Sequence, residues 1–105
     1  MARINKHPQV IRDLIDLATY ISEDNLDASD KFLVAAEETF RQLGKMPGMG
    51  KPCNFDNPNL KGIRQQAIKG FKKYLIFYRA SDLDVDIIRV IHSARDIEAI
   101  LEDDS

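Results

Sequence analysis

Gly70-Phe-Lys-Lys-Tyr-Leu-Ile-Phe-Tyr-Arg79, a polar turn, and Asp84-Val-Asp-Ile-Ile-Arg-Val-Ile-His92 decide how this chain folds. Two runs of β-branched and aromatic residues flank an acidic turn, which predicts a hairpin. The strands are expected over Lys72–Arg79 and Asp84–His92, with an earlier partner at Ile63–Ile68. Strict alternation puts Phe71, Leu75 and Phe77 on one face and Tyr74, Ile76 and Tyr78 on the other. It groups Val85, Ile87, Arg89 and Ile91 against Ile88, Val90 and His92. Both faces carry apolar residues, so each needs a cover. One is expected to pack on helices. The other, mixed with Tyr, Arg and His, calls for a C-terminal helix, a bound partner, or both.

Working outward, Ser93-Ala-Arg-Asp96 reads as a capping box opening a final helix with Ile97, Ile100 and Leu101 on its apolar face. Upstream, Met46 to Leu60 holds Pro47, Pro52, Pro58, Gly48 and Gly50, which predicts a loop with a short edge strand near Lys51–Phe55. Before it lie two amphipathic helices. Pro8 suits the first turn of one, whose stripe is Val10, Ile11, Leu14, Ile15, Leu17, Ala18 and Ile21, with Arg12, Asp13, Asp16 and Glu23 opposite. Asn25 or Asp27 caps the other, whose stripe is Phe32, Ala36, Phe40 and Leu43, with Gly44 as the stop. Arg3 to Lys6 is a first strand. The predicted order is β-α-α-β-β-β-α: an α+β fold with a helical hairpin on a small, mostly antiparallel sheet.

Composition sets bounds. The chain has 105 residues, 44% apolar and 30% charged, within the range of one folded domain spanning 1–105. Its net charge of −2 gives no reason to expect membrane association or sequence-specific DNA binding by the chain alone. The one cysteine, Cys53, excludes an internal disulfide, and no apolar run approaches the roughly 18 residues of a membrane span. The N-terminus lacks the apolar core of a signal peptide, so a cytoplasmic location is expected. Charge is unevenly placed: Asn57 to Ser81 contains no acid, yet holds Lys61, Arg64, Lys69, Lys72, Lys73 and Arg79. That is either one cationic surface able to steer an anionic partner or a solvated strand edge guarded by lysines. No phosphate loop, zinc spacing or nucleophile elbow appears, and no metal or cofactor is expected.

Taken in order, Arg12-Asp-Leu14, Ala18-Thr-Tyr-Ile21, Pro47-Gly-Met-Gly50, Gly62-Ile-Arg64, Ile68-Lys-Gly-Phe71, Tyr74-Leu-Ile-Phe-Tyr-Arg79, Arg89-Val-Ile-His92 and Ala94-Arg-Asp96 resemble the ParE branch of the RelE/ParE toxin superfamily nearly end to end. The resemblance implies a toxin of a type II toxin–antitoxin pair. It implies a cognate, ParD-like antitoxin whose C-terminal segment wraps the toxin, and DNA gyrase as the target. Gln66 and Ala67 stand where many relatives carry an aromatic and a proline.

On this basis no residue is assigned a catalytic role. Lys69, Lys72, Lys73, Arg89, His92 and Arg95 are candidate target contacts. Arg64, Tyr74, Tyr78 and Arg79 are candidate antitoxin contacts, lining an apolar groove open to strand addition or helix docking. The superfamily's other branch cleaves mRNA on the ribosome, which requires a base, an acid and cations on the phosphate. Those relatives often place a Tyr or His-Tyr pair near the C-terminus, whereas this chain has no aromatic after Tyr78. Ribonuclease activity and an inactive antitoxin-binding relative are the alternatives. His92 is otherwise a hydrogen-bonded imidazole at a strand–helix junction, and Arg95 with Asp96 a structural ion pair.

Overall fold

The computed structural model describes residues 1–103. The elements are β1 (Arg3–Lys6), α1 (Pro8–Ser22), α2 (Leu26–Lys45), β2 (Lys51–Pro52), a 3-10 turn (Pro58–Leu60), β3 (Arg64–Ile68), β4 (Phe71–Ala80), β5 (Asp84–His92) and α3 (Ile97–Asp103). The sheet runs β1-β5-β4-β3-β2. β2 to β5 pair antiparallel, and β1 closes the far edge parallel to β5. This is the expected α+β order, with the short edge strand realised as β2.

The helical hairpin forms as its patterning dictates. Pro8 opens α1 at the position where a missing N–H leaves no bond unmade. Asn25 caps α2, its side chain accepting from the Ala28 amide at 3.1 Å. Phe32, Ala36, Phe40 and Leu43 are all essentially inaccessible. Fully burying side chains of the Phe or Leu type is worth roughly 1.5–3 kcal/mol each, so this stripe fixes the helix on the sheet. The helices are also joined by a polar contact: buried Ser29 donates from Oγ to the Ala18 carbonyl at 2.7 Å. Ser29→Ala is expected to lower stability by about 1 kcal/mol, read by urea denaturation. No change would mean that helix contact is dispensable.

Gly44 does not end α2. The helix continues through Lys45, and Gly44 is buried against β1, where an added Cβ would sit 3.1 Å from Ile4 Cδ1 and 3.2 Å from the Ala2 carbonyl. Its small size permits close approach of two backbones. Ser93 does not open α3 either. That helix starts at Ile97, and the Asp96 side chain accepts from the Ala99 amide at 3.4 Å, leaving 93–96 as a turn.

The sheet departs from strict alternation at two irregularities. The β4–β5 register shifts between Phe77, opposite Arg89, and Tyr78, opposite Ile87. The extra residue in β5 reverses which face later residues take. Val85, Ile87 and Val90 therefore pack under the helical hairpin, while Ile88 and Ile91 face the other way. A second shift at Ala67/Ile68 precedes the Gly70 turn, where φ is +83°, and Phe71 packs on the hairpin side, not with Leu75 and Phe77.

Tyr74, Ile76 and Tyr78 lie on the face against α1 and α2. The opposite face, with Leu75, Phe77, Ile88 and Ile91, is closed by Leu60, Phe55 and the α3 residues Ile97, Ile100 and Leu101. The open apolar trough expected there is thus largely filled by the chain's own C-terminal helix. Among the described residues, no helix is long and apolar enough to cross a membrane.

Candidate functional site

β5 outruns its neighbour. β1 ends at Lys6 opposite Ile87, so residues 88–92 have no strand beyond them. An exposed sheet edge leaves backbone donors unpaired, and α1 answers this with one carboxylate. Asp13 Oδ2 accepts from the Val90 amide at 3.0 Å and from Arg89 Nε at 2.8 Å, while Oδ1 accepts from Arg89 Nη2 at 2.8 Å. Gln9 adds a bond to Oδ1 at 3.3 Å. Asp13 is 6% exposed and the Arg89 side chain 15%. This bidentate pair ties α1 to the sheet. Sequence reading placed Asp13 on the solvent face and Arg89 on a partner surface. The structure overturns the first placement, and it shows Arg89 held by that buried acid.

Below that pair a cleft opens between α1 and the end of β5. A cavity of about 220 Å³ is bounded in part by Asp13, Arg89 and Ile100. It adjoins another of about 420 Å³ lined by Asp16, Leu17, Tyr20, His92, Ala94 and Arg95. Asp16, Leu17, His92 and Arg95 line both. His92 pairs across the sheet with Tyr74, their rings meeting edge-on at 5.0 Å. Tyr74 in turn stacks edge-on with Phe32 at 5.1 Å, which anchors the cleft floor to the core.

His92 Nδ1 accepts from the Ala94 amide at 3.0 Å, which puts the neutral ring's proton on Nε2 and makes that atom a donor. The Ser93 amide donates to the Lys73 carbonyl at 2.7 Å, holding the following turn against β4. Partial burial and then the proximity of Tyr20 raise the Tyr74 phenol above its ordinary range, so it remains a neutral hydroxyl at neutral pH. Leu17 and Tyr20 give the cleft an apolar wall. Sequence reading missed them as site residues; the available signal was that α1 is apolar over more of its circumference than one core face requires.

The other candidates separate into two groups. Lys69, Lys72 and Lys73 are exposed around the Gly70 turn, at the same end of the sheet as His92 and the 93–96 turn. Arg64, Tyr78 and Arg79 lie at the opposite end, so the acid-free stretch makes two cationic regions, not one surface. The seven residue steps from Lys72 to Arg79 span roughly 23 Å.

At that second end the side chains hold a loop together. Arg64 donates to the Gly50 carbonyl at 3.0 and 2.7 Å and to the Gly48 carbonyl at 3.2 Å. Tyr78 is fully buried, donating to the Pro47 carbonyl at 2.8 Å and accepting from the Gly50 amide at 3.0 Å. It is a core residue, not the groove wall expected from sequence. Arg79 is exposed but donates to the Asn59 carbonyl at 2.7 Å. Tyr74 belongs to the cleft at the other end. Burial pushes the Cys53 thiol up, outweighing Lys51 and Arg64, which disfavours its thiolate.

Three helices on a five-stranded mixed sheet, with a cleft where β5 outruns β1, define a RelE/ParE-like fold. A chain of a structure described as the chromosomal ParDE TA system from P. aeruginosa superposes with a TM-score of 0.68 at 15% identity, covering 88% of this chain and 96% of that one. A chain of the YoeB–YefM complex from Staphylococcus aureus superposes with a TM-score of 0.52 at 21% identity, covering 88% and 97%. No curated protein matches the chain significantly in sequence. The family described as ParE toxin of type II toxin-antitoxin system, parDE, matches residues 4–97, and the chain belongs to it.

Proposed function

We propose that this protein is the toxin of a type II pair, that it acts by binding DNA gyrase and not by chemistry of its own, and that a cognate antitoxin neutralises it in the cytoplasm. The observation that carries binding over catalysis is the state of the arginines. Cleaving RNA without a metal calls for cations converging on the phosphate beside the acid and base. Here Arg3 holds Asp84, Arg64 and Arg79 hold loop carbonyls, and Arg89, though it borders the same cavity as His92, is held by Asp13. Of the arginines on the sheet and the turn after it, this leaves Arg95 beside the imidazole.

The antitoxin reading rests on family membership, with Arg79 and the neighbouring Lys61 as the exposed cations at the β3–β4 end. The apolar strip on α1 and α2, where Ile15 is 58% and Val34 61% exposed, offers a second contact.

Purified toxin is expected to inhibit gyrase-catalysed supercoiling of relaxed plasmid, with inhibition relieved when the protein encoded beside it is added. Full supercoiling at a large excess of folded toxin, together with cleaved transcripts after induction, would replace this reading with ribosome-dependent mRNA cleavage.

A further inference from the structure

Of the seven arginines, Arg3, Arg64, Arg79 and Arg89 are bonded to acceptors of the chain itself. Arg12 and Arg41 are exposed on the helices, and neither lines the cavities described above. Arg95 differs from both sets. It lines a cavity, it is exposed, and among the described residues its guanidinium has no hydrogen bond or ion pair. Tyr20 and His92 line the same cavity, and among the described residues the Tyr20 hydroxyl and His92 Nε2 have no hydrogen-bond partner either. A fixed cation, a ring N–H and a phenol around an apolar floor are donors awaiting an acceptor.

We infer that the cleft between α1 and the 93–96 turn is where the toxin engages its target, and that it takes an acidic side chain of a protein partner between Arg95 and His92, with an adjoining apolar residue on Leu17 and Tyr20. The carboxylate follows from the donor set: Arg95 offers a planar fork that a carboxylate fits with two parallel bonds, and His92 Nε2–H supplies a third donor. Asp16 stands on the α1 wall of the same cavity. Its charge repels an acid placed there and confines one to the β5 side. Leu17 and Tyr20, the latter 63% exposed, give a partner the aromatic and aliphatic surface that carries affinity at interface centres. The lysines of the Gly70 turn, at the same end of the sheet, steer an acidic partner toward the cleft without contacting it closely. This rests on the reading that the protein acts by binding, but not on the target being gyrase.

The test uses the full chain with Arg95→Ala, Arg95→Lys and Tyr20→Ala, and with Arg12→Ala and Arg41→Ala as controls. Each is read for thermal midpoint, growth arrest on induction, and inhibition of gyrase supercoiling. Arg95→Ala removes no internal contact, so its midpoint is expected to match that of the parent, while at least 10-fold more toxin is needed for either effect. Arg95→Lys keeps the charge and loses the fork, so it is expected to recover only part of the activity. The two controls are expected to act as the parent does.

Equal potency of parent and Arg95→Ala in growth arrest overturns the cleft, whatever the target. Growth arrest lost in Arg95→Ala, with parent toxin inert toward gyrase, upholds the cleft and rejects gyrase. A parent chain that arrests no growth rejects both.

Discussion

Asp13→Ala is expected to remove about 3–5 kcal/mol of folding stability, the range for breaking a buried ion pair by deleting one partner. The loss has two sources. Arg89, only 15% exposed, is left charged beneath α1 without its bidentate acceptor. The Val90 amide, on the sheet edge that β1 does not reach, loses the oxygen 3.0 Å away. Against a total stability of roughly 5–15 kcal/mol for a domain this size, that is a large fraction.

Urea denaturation measures it. The partner change Arg89→Met and the double variant Asp13→Leu/Arg89→Met separate the two sources. Removing both charges is expected to recover much of the loss, because an apolar pair of similar volume often matches a buried ion pair. A cost below about 1 kcal/mol for Asp13→Ala would be that of a solvated surface pair and would contradict the buried geometry.

Gly50→Ala is the second large effect. A Cβ on Gly50 would lie 2.5 Å from the Tyr78 hydroxyl, 2.6 Å from the Gln65 carbonyl and 2.9 Å from Tyr78 Cε1. The Tyr78 ring is locked in the core and the Gln65 oxygen is backbone, so neither can give way cheaply. Overpacking of this kind costs about 1–3 kcal/mol. Displacement of Gly50 also disturbs the bonds from Arg64 and to Tyr78, which places the expected loss at or above about 3 kcal/mol. Gly48→Ala is the control: a Cβ there meets nothing within 4 Å, so it is expected to change stability by less than about 0.5 kcal/mol. Adding Tyr78→Phe to Gly50→Ala relieves the hydroxyl contact but not the carbonyl one, so only partial recovery is expected. Equal stability of the two glycine variants would show that this loop packs differently.

These two residues show why part of the site was legible and part was not. Pro47-Gly-Met-Gly50 stood out as a motif, yet nothing in its spacing says that Gly50 is needed because Tyr78 and Gln65 crowd it. Asp13 looked like one more acid on a polar helix face. Its burial follows from β5 extending past β1, which leaves Asp13 to meet Val90, 77 positions further along the chain. Tyr78 and Arg89 were read as partner contacts because aromatic and cationic residues suit interfaces. Both are bound internally, as buried polar groups must be when the fold can supply partners.

Local patterning alone determined the helical hairpin, the β4–β5 hairpin and the α+β order. Apolar spacing of 3.6 and 2 residues, a proline and an asparagine at helix starts, and glycine at tight turns act within a few residues and need no distant partner. The tertiary structure alone decided the parallel seating of β1, the face reversal after Ile87, the closure of the second sheet face by α3, and the joining of Leu17 and Tyr20 with His92 and Arg95. Each of these depends on where segments far apart in the chain meet. A one-residue bulge or a strand that ends early changes that meeting while leaving the local pattern of the sequence untouched.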